Sequence, residues 1–95
     1  MATQLRRYTV ADEAGLDRLV AWFPTLVPVR EHYGFRVQWA YADYEHLQFV
    51  WAVSHDGDFE AAVAAYEPSP ERTAAFEGFE NPIISMTVSI VDQVM

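Results

Sequence analysis

The chain has 95 residues, enough for one domain, with 52% hydrophobic and 15% aromatic content and a formal net charge of −8. Fourteen acids stand against six arginines and no lysine, so there is no basic stripe for a phosphate backbone or an anionic bilayer, and nucleic acid and membrane surfaces are excluded as partners. Cysteine is absent, which removes disulfide and thiol chemistry, and no apolar run reaches the ~20 residues of a membrane span. The opening MATQLRRYTV lacks the apolar stretch of a secretory leader, and the expected location is cytoplasmic.

The first element is a weakly alternating strand over 4–10, followed by ADEAG, where Asp12 is the natural N-cap of a helix. Leu16, Leu19, Val20, Phe23, Leu26 and Val27 then recur at intervals of three and four, giving one apolar helical stripe. Pro24 and Pro28 fall inside it, which predicts a kink or two abutting helices, and Gly34 is the expected stop. FRVQWAYAD (35–43) alternates, placing Phe35, Val37, Trp39 and Tyr41 on one side. LQFVWAV (47–53) returns with Leu47, Phe49, Trp51 and Val53 on one face, so the pair reads as a hairpin. Asp58 caps a second helix to about Tyr66, and the helix restarts with Ser69 as N-cap and Pro70 at its first position. The last strand carries Ile84, Met86, Val88 and Ile90 on one side and Ser85, Thr87 and Ser89 on the other.

Strand, helix, strand, strand, helix, strand is the order of a ferredoxin-like α+β sandwich: a four-stranded antiparallel sheet with its helices on one face. The other face is left bare, and a second copy is the simplest cover for it, because a two-fold interface reuses one patch. The expected assembly is therefore a homodimer.

LRRYT near the start, VPVREHYGF at the end of the first helix and FVWAVSHDGDFEAAVAAYEPSPE together resemble the NIPSNAP-type domains of the dimeric α+β barrel superfamily, over most of the chain from Leu5 to about Glu71. The resemblance implies that residues 1–95 are one domain whose sheet closes a barrel with that of a second copy. It also implies relatives among cofactor-free monooxygenases, small-molecule cyclases and decyclases, and haem-degrading enzymes, which use a cleft between sheet and helices. It carries no agreed reaction or cofactor. Gln4 departs from the usual pattern, standing where an acid is common, as does the pair Ser54 and His55, where a basic residue and an aromatic are common.

The candidate chemistry is sparse. His32, His46 and His55 fit no zinc spacing, so no metal is expected. His55, beside Asp56, is a candidate general base, and its plainer reading is part of a polar loop whose Asp58 caps the helix; His32 and Tyr66 are the other candidate acid–base groups. Arg30 would clamp an anionic ligand group or, more simply, pair with Glu31 or another acid. Arg6 and Arg7 are adjacent on a strand and point to opposite faces. With Arg7 and Tyr8, the residues Trp39, Tyr41, Phe49 and Trp51 are either ordinary packing or the flat walls of a site for a small apolar or aromatic ligand. Two functional classes follow: a small-molecule-binding domain without chemistry of its own, or a cofactor-independent monooxygenase or cyclase acting on an aromatic or polyketide-like substrate. A structural dimer without ligand is a third.

Overall fold

The computed structural model describes residues 2–95. Its elements are β1 (Ala2–Val10), α1 (Glu13–His32), β2 (Phe35–Asp43), β3 (Gln48–His55), α2 (Phe59–Tyr66), α3 (Pro70–Phe76) and β4 (Ile83–Val91). All strand pairs are antiparallel and the sheet order is β2-β3-β1-β4. This is the ferredoxin-like sandwich that the element order predicts, with the second helix divided into α2 and α3 at Pro68.

The helix ends follow from local chemistry. The Asp12 carboxylate accepts a hydrogen bond from the Gly15 N–H at 2.7 Å, Asp58 accepts from Ala61 N–H at 3.1 Å, and the Ser69 hydroxyl accepts from Arg72 N–H at 3.2 Å. α1 ends at His32, and Gly34 takes a left-handed φ of 86° just beyond it. A Cβ at Gly34 would lie 2.7 Å from His55 Nε2, so the position excludes a side chain twice over.

Of the two outcomes expected for α1, the division into two abutting helices is corrected: the helix runs unbroken through Pro24 and Pro28. Both prolines are exposed and sit four residues apart on the outer face, so the carbonyls they leave without an N–H partner, at Val20 and Pro24, can turn to water.

A second correction concerns β2. Its register shifts between Val37, which pairs with Val53, and Trp39, which pairs with Ala52. The extra residue is Gln38, whose amide donates to the buried Ser54 hydroxyl at 2.6 Å. This β-bulge reverses the alternation. Phe35 and Val37 stay on the helix-facing side with Phe49, Trp51 and Val53, while Trp39 and Tyr41 turn to the opposite, open face.

The core lies between α1 and the β1–β3–β2 part of the sheet: Leu16, Leu19, Phe23 and Leu26 against Tyr8, Val10, Phe35, Phe49, Trp51 and Val53. Phe23 meets the rings of Phe49 and Trp51 at 4.9 and 5.0 Å. Trp22 fastens α1 to α3 by donating from Nε1 to the Ala75 carbonyl at 2.8 Å and stacking on Phe79 at 4.2 Å. The molecule measures 36 × 35 × 18 Å, and its thin direction holds one sheet and one helix layer only.

That layer stops short of β4. Met86, Val88 and Ile90 pair with Tyr8, Arg6 and Gln4, which puts them on the helix-facing side, yet they are 52%, 43% and 61% exposed. An apolar ledge therefore runs along β4, beside the helices and not beneath them.

Candidate functional site

The site is built on a cross-sheet row. Val88 on β4, Arg6 on β1 and Trp51 on β3 are successive register partners, all on the helix-facing side. Arg6 is half-buried, donating from Nε to the Tyr8 hydroxyl at 2.8 Å and from Nη1 to the Gln4 side-chain carbonyl at 2.9 Å. Its guanidinium carbon is 5.6 Å from the Trp51 ring centroid.

Arg30 reaches into the same place from the last turn of α1. It is only 6% exposed, and its guanidinium carbon lies 5.0, 5.1 and 4.2 Å from the ring centroids of Phe35, Trp51 and Tyr66. Burial pushes its pKa down; the Tyr66 hydroxyl acts against that, and the nearby Arg6 charge adds to it. The Arg30 Nε and the Trp51 indole N–H are both buried without a hydrogen-bond partner. The sequence offers Glu31 and other acids as partners for Arg30. Among the described residues, however, the contacts of this kind are an Arg36–Asp56 ion pair at 3.7 Å and a His46–Asp43 side-chain hydrogen bond at 2.9 Å, both at the surface. Fourteen carboxylates are available in this chain, and none within the described residues comes within ion-pairing distance of Arg30.

The open face holds a different feature, a hollow of about 520 Å³ lined by Thr3, Leu5, Arg7, Gln38, Trp39, Val50 and Ala52 together with Val91, Asp92, Gln93 and Met95. Two of its polar side chains are already engaged: Arg7 donates to the Gln48 side-chain carbonyl at 3.0 Å, and Gln38 is tied to Ser54.

The expected ligand residues are thus divided between two faces. Tyr8, Arg30, Phe49 and Trp51 gather on the helix-facing side; Arg7, Trp39 and Tyr41 lie on the other. Tyr41 is 68% exposed. Arg6 and Gln4 join the first group, although nothing in the residues themselves favours Arg6 over Arg7.

The acid–base candidates do not form one constellation. His55 accepts from the Gly57 N–H at Nδ1, 2.9 Å away, which leaves Nε2 to donate to the Tyr33 carbonyl at 3.3 Å. Both ring nitrogens therefore brace the junction of α1, β3 and the loop before α2. His32 is exposed at the end of α1, edge-on to Tyr33. Tyr66 is buried and lies under Arg30. No group of three or more metal-ligating side chains occurs among the described residues, nor is any helix long and apolar enough to cross a membrane.

No protein-family model and no curated protein matches the chain. Solved structures do. An uncharacterized NIPSNAP domain protein from Burkholderia xenovorans is 11% identical, with 99% of this chain and 95% of that one covered and a TM-score of 0.80. A NIPSNAP family protein of unknown function from Agrobacterium tumefaciens is 11% identical, covering 96% and 86%, with a TM-score of 0.75. An antibiotic biosynthesis monooxygenase is 14% identical over the whole of both chains, with a TM-score of 0.69. At these identities the likeness establishes the fold, the ferredoxin-like α+β arrangement of NIPSNAP-type domains, and the resemblance read from the residues has its counterpart in three dimensions.

Proposed function

We propose that this chain is a homodimeric, NIPSNAP-like small-molecule-binding domain whose ligand lies across the β4 ledge and the Val88–Arg6–Trp51 row. One observation carries the reading. Three large apolar side chains, Met86, Val88 and Ile90, stand exposed in a line on the side of the sheet that the helices otherwise cover. An apolar strip of this kind, ending at an aromatic wall and two arginines, offers what a small apolar or aromatic molecule needs. The open face suits a second copy: Trp39 and Tyr41 stand out from it, and nothing in a two-layer slab covers them.

Binding is favoured over turnover because His55 has both nitrogens committed. The monooxygenase or cyclase reading keeps one support, Tyr66, the acid–base candidate that shares a wall with Arg30. It predicts turnover that Tyr66→Phe abolishes while ligand affinity is kept.

The binding reading is tested with N-phenyl-1-naphthylamine, a neutral probe that brightens in apolar surroundings. Wild-type protein brightens it, Val88→Glu removes the effect with thermal stability unchanged, and Arg7→Ala leaves it intact. Loss of the signal in Arg7→Ala with retention in Val88→Glu would move the site to the open face.

A further inference from the structure

We infer that the ligand of this site is an organic anion, a flat apolar body bearing one carboxylate or a similar oxyanion, held by Arg30, Arg6 and the Trp51 indole N–H. This rests on the placement of the site at the β4 ledge.

Arg30 is short of acceptors. A guanidinium that is 6% exposed should have its N–H groups met by acceptors, and Arg30 Nε has none. The rings of Phe35, Trp51 and Tyr66 compensate part of its charge through their faces, but a π face does not replace an in-plane acceptor. The Trp51 indole N–H, fully buried on the same ring that Arg30 overlies, is the second orphan. A second cation, Arg6, stands 5.6 Å from that ring. Two like charges and two unpaired donors around one indole form a cluster with a single shared requirement, an anionic acceptor.

A chain carrying fourteen acids could have supplied that acceptor internally, and within the described residues it does not. The missing partner is then external. Its oxyanion would sit where Arg6, half-exposed, opens the way and Arg30 closes the back. A planar carboxylate matches the in-plane donors of a guanidinium, as Lys would not.

The register fixes the rest of the molecule. Val88, Arg6 and Trp51 follow one another across neighbouring strands, each about 4.8 Å from the next, so a body roughly 10 Å long reaches from the indole to the ledge. That is the length of two fused rings and a carboxyl group. The apolar end rests on Met86 and Val88, and the charged end points past Arg6 toward Arg30 and the indole.

The test compares 2-naphthoate with 2-naphthamide, equal in shape and different in charge, by equilibrium titration and thermal unfolding. Wild-type protein should bind the acid about 10- to 100-fold more tightly than the amide, as expected for hydrogen bonds to a charged group. Arg30→Met should lose that preference while unfolding at a temperature no lower than wild type without ligand, because it removes an unpaired buried charge and keeps the volume. Arg30→Lys should recover only part of the preference. Equal affinities for acid and amide in wild type would overturn the anion assignment and leave the β4-ledge site standing. An Arg30→Met protein that unfolds well below wild type, or fails to fold, would also overturn it, since the guanidinium would then be a structural prop. Binding of neither compound, with N-phenyl-1-naphthylamine also silent, would remove the site and the anion together.

Discussion

The two faces of this one sheet treat aromatic side chains in opposite ways. On the helix-facing side Phe35, Phe49 and Trp51 are shut in by α1, and Trp51 is fully buried. On the open face Trp39 and Tyr41 are 42% and 68% exposed and pack mainly on each other, ring to ring at 5.5 Å. The difference shows that an aromatic residue on a strand says little by itself: the layer above it decides whether it is core, site or interface. It also shows that the helix-facing side has two parts, a sealed one under α1 and an unsealed one along β4.

Substitutions on the two faces put this contrast to the test. The largest effect belongs to Trp51→Ala, which should cost about 3–5 kcal/mol in chemical denaturation, as truncation of a buried aromatic does. Trp39→Ala should cost about 1 kcal/mol or less in the same experiment and act instead on self-association. Similar losses at the two positions would mean that the faces do not differ as described. Next comes Gln38→Ala, which leaves the Ser54 hydroxyl buried and unpaired and should cost about 1–3 kcal/mol.

Gly34→Ala follows. A left-handed φ costs an L-residue about 1–2 kcal/mol, and the contact with His55 Nε2 adds to it. Combining it with His55→Ala should relieve the contact and leave the backbone part, so the double variant separates the two causes. Strict additivity of the two single effects would show that the ring yields freely.

The smallest effect is expected at the β2–β3 turn. Asp43 is held below the usual carboxylate range by the His46 side chain first and the His46 N–H second. A depressed carboxylate pKa contributes stability above its unfolded value, near 4, and loses it as the pH falls through the lower folded value. Asp43→Asn should therefore change stability slightly at neutral pH and not at all in strong acid. An equal change at both ends of the pH range would contradict that linkage.

Local signals in the sequence were enough for the helices. The stripe of Leu16, Leu19, Phe23 and Leu26, the caps at Asp12, Asp58 and Ser69, and Gly34 as terminator each have a short-range cause that needs no tertiary context. The open-face aromatics were misplaced because a bulge changes the phase of a strand by one residue without marking the sequence. Gln38 looks like any outward polar residue until its hydrogen bond to Ser54 is seen. The choice between Arg6 and Arg7 was illegible for a related reason: adjacent strand residues always divide between faces, and only the register with Trp51 and Val88 says which goes where. For Arg30, a helix-terminal arginine near Glu31 invites an ion pair, and its lack of one emerges only when the whole packing is known.

The account turns on which face receives the ligand, and the three indole N–H groups report on it separately. Trp22 Nε1–H is hydrogen-bonded to the Ala75 carbonyl, Trp51 Nε1–H is buried and unpaired, and Trp39 belongs to the open face. In a nitrogen–proton correlation spectrum, titration with 2-naphthoate should move the Trp51 indole resonance downfield as it gains an acceptor, with Trp22 and Trp39 little changed. A shift at Trp39 with Trp51 unmoved would place the ligand on the opposite side of the sheet and contradict the account.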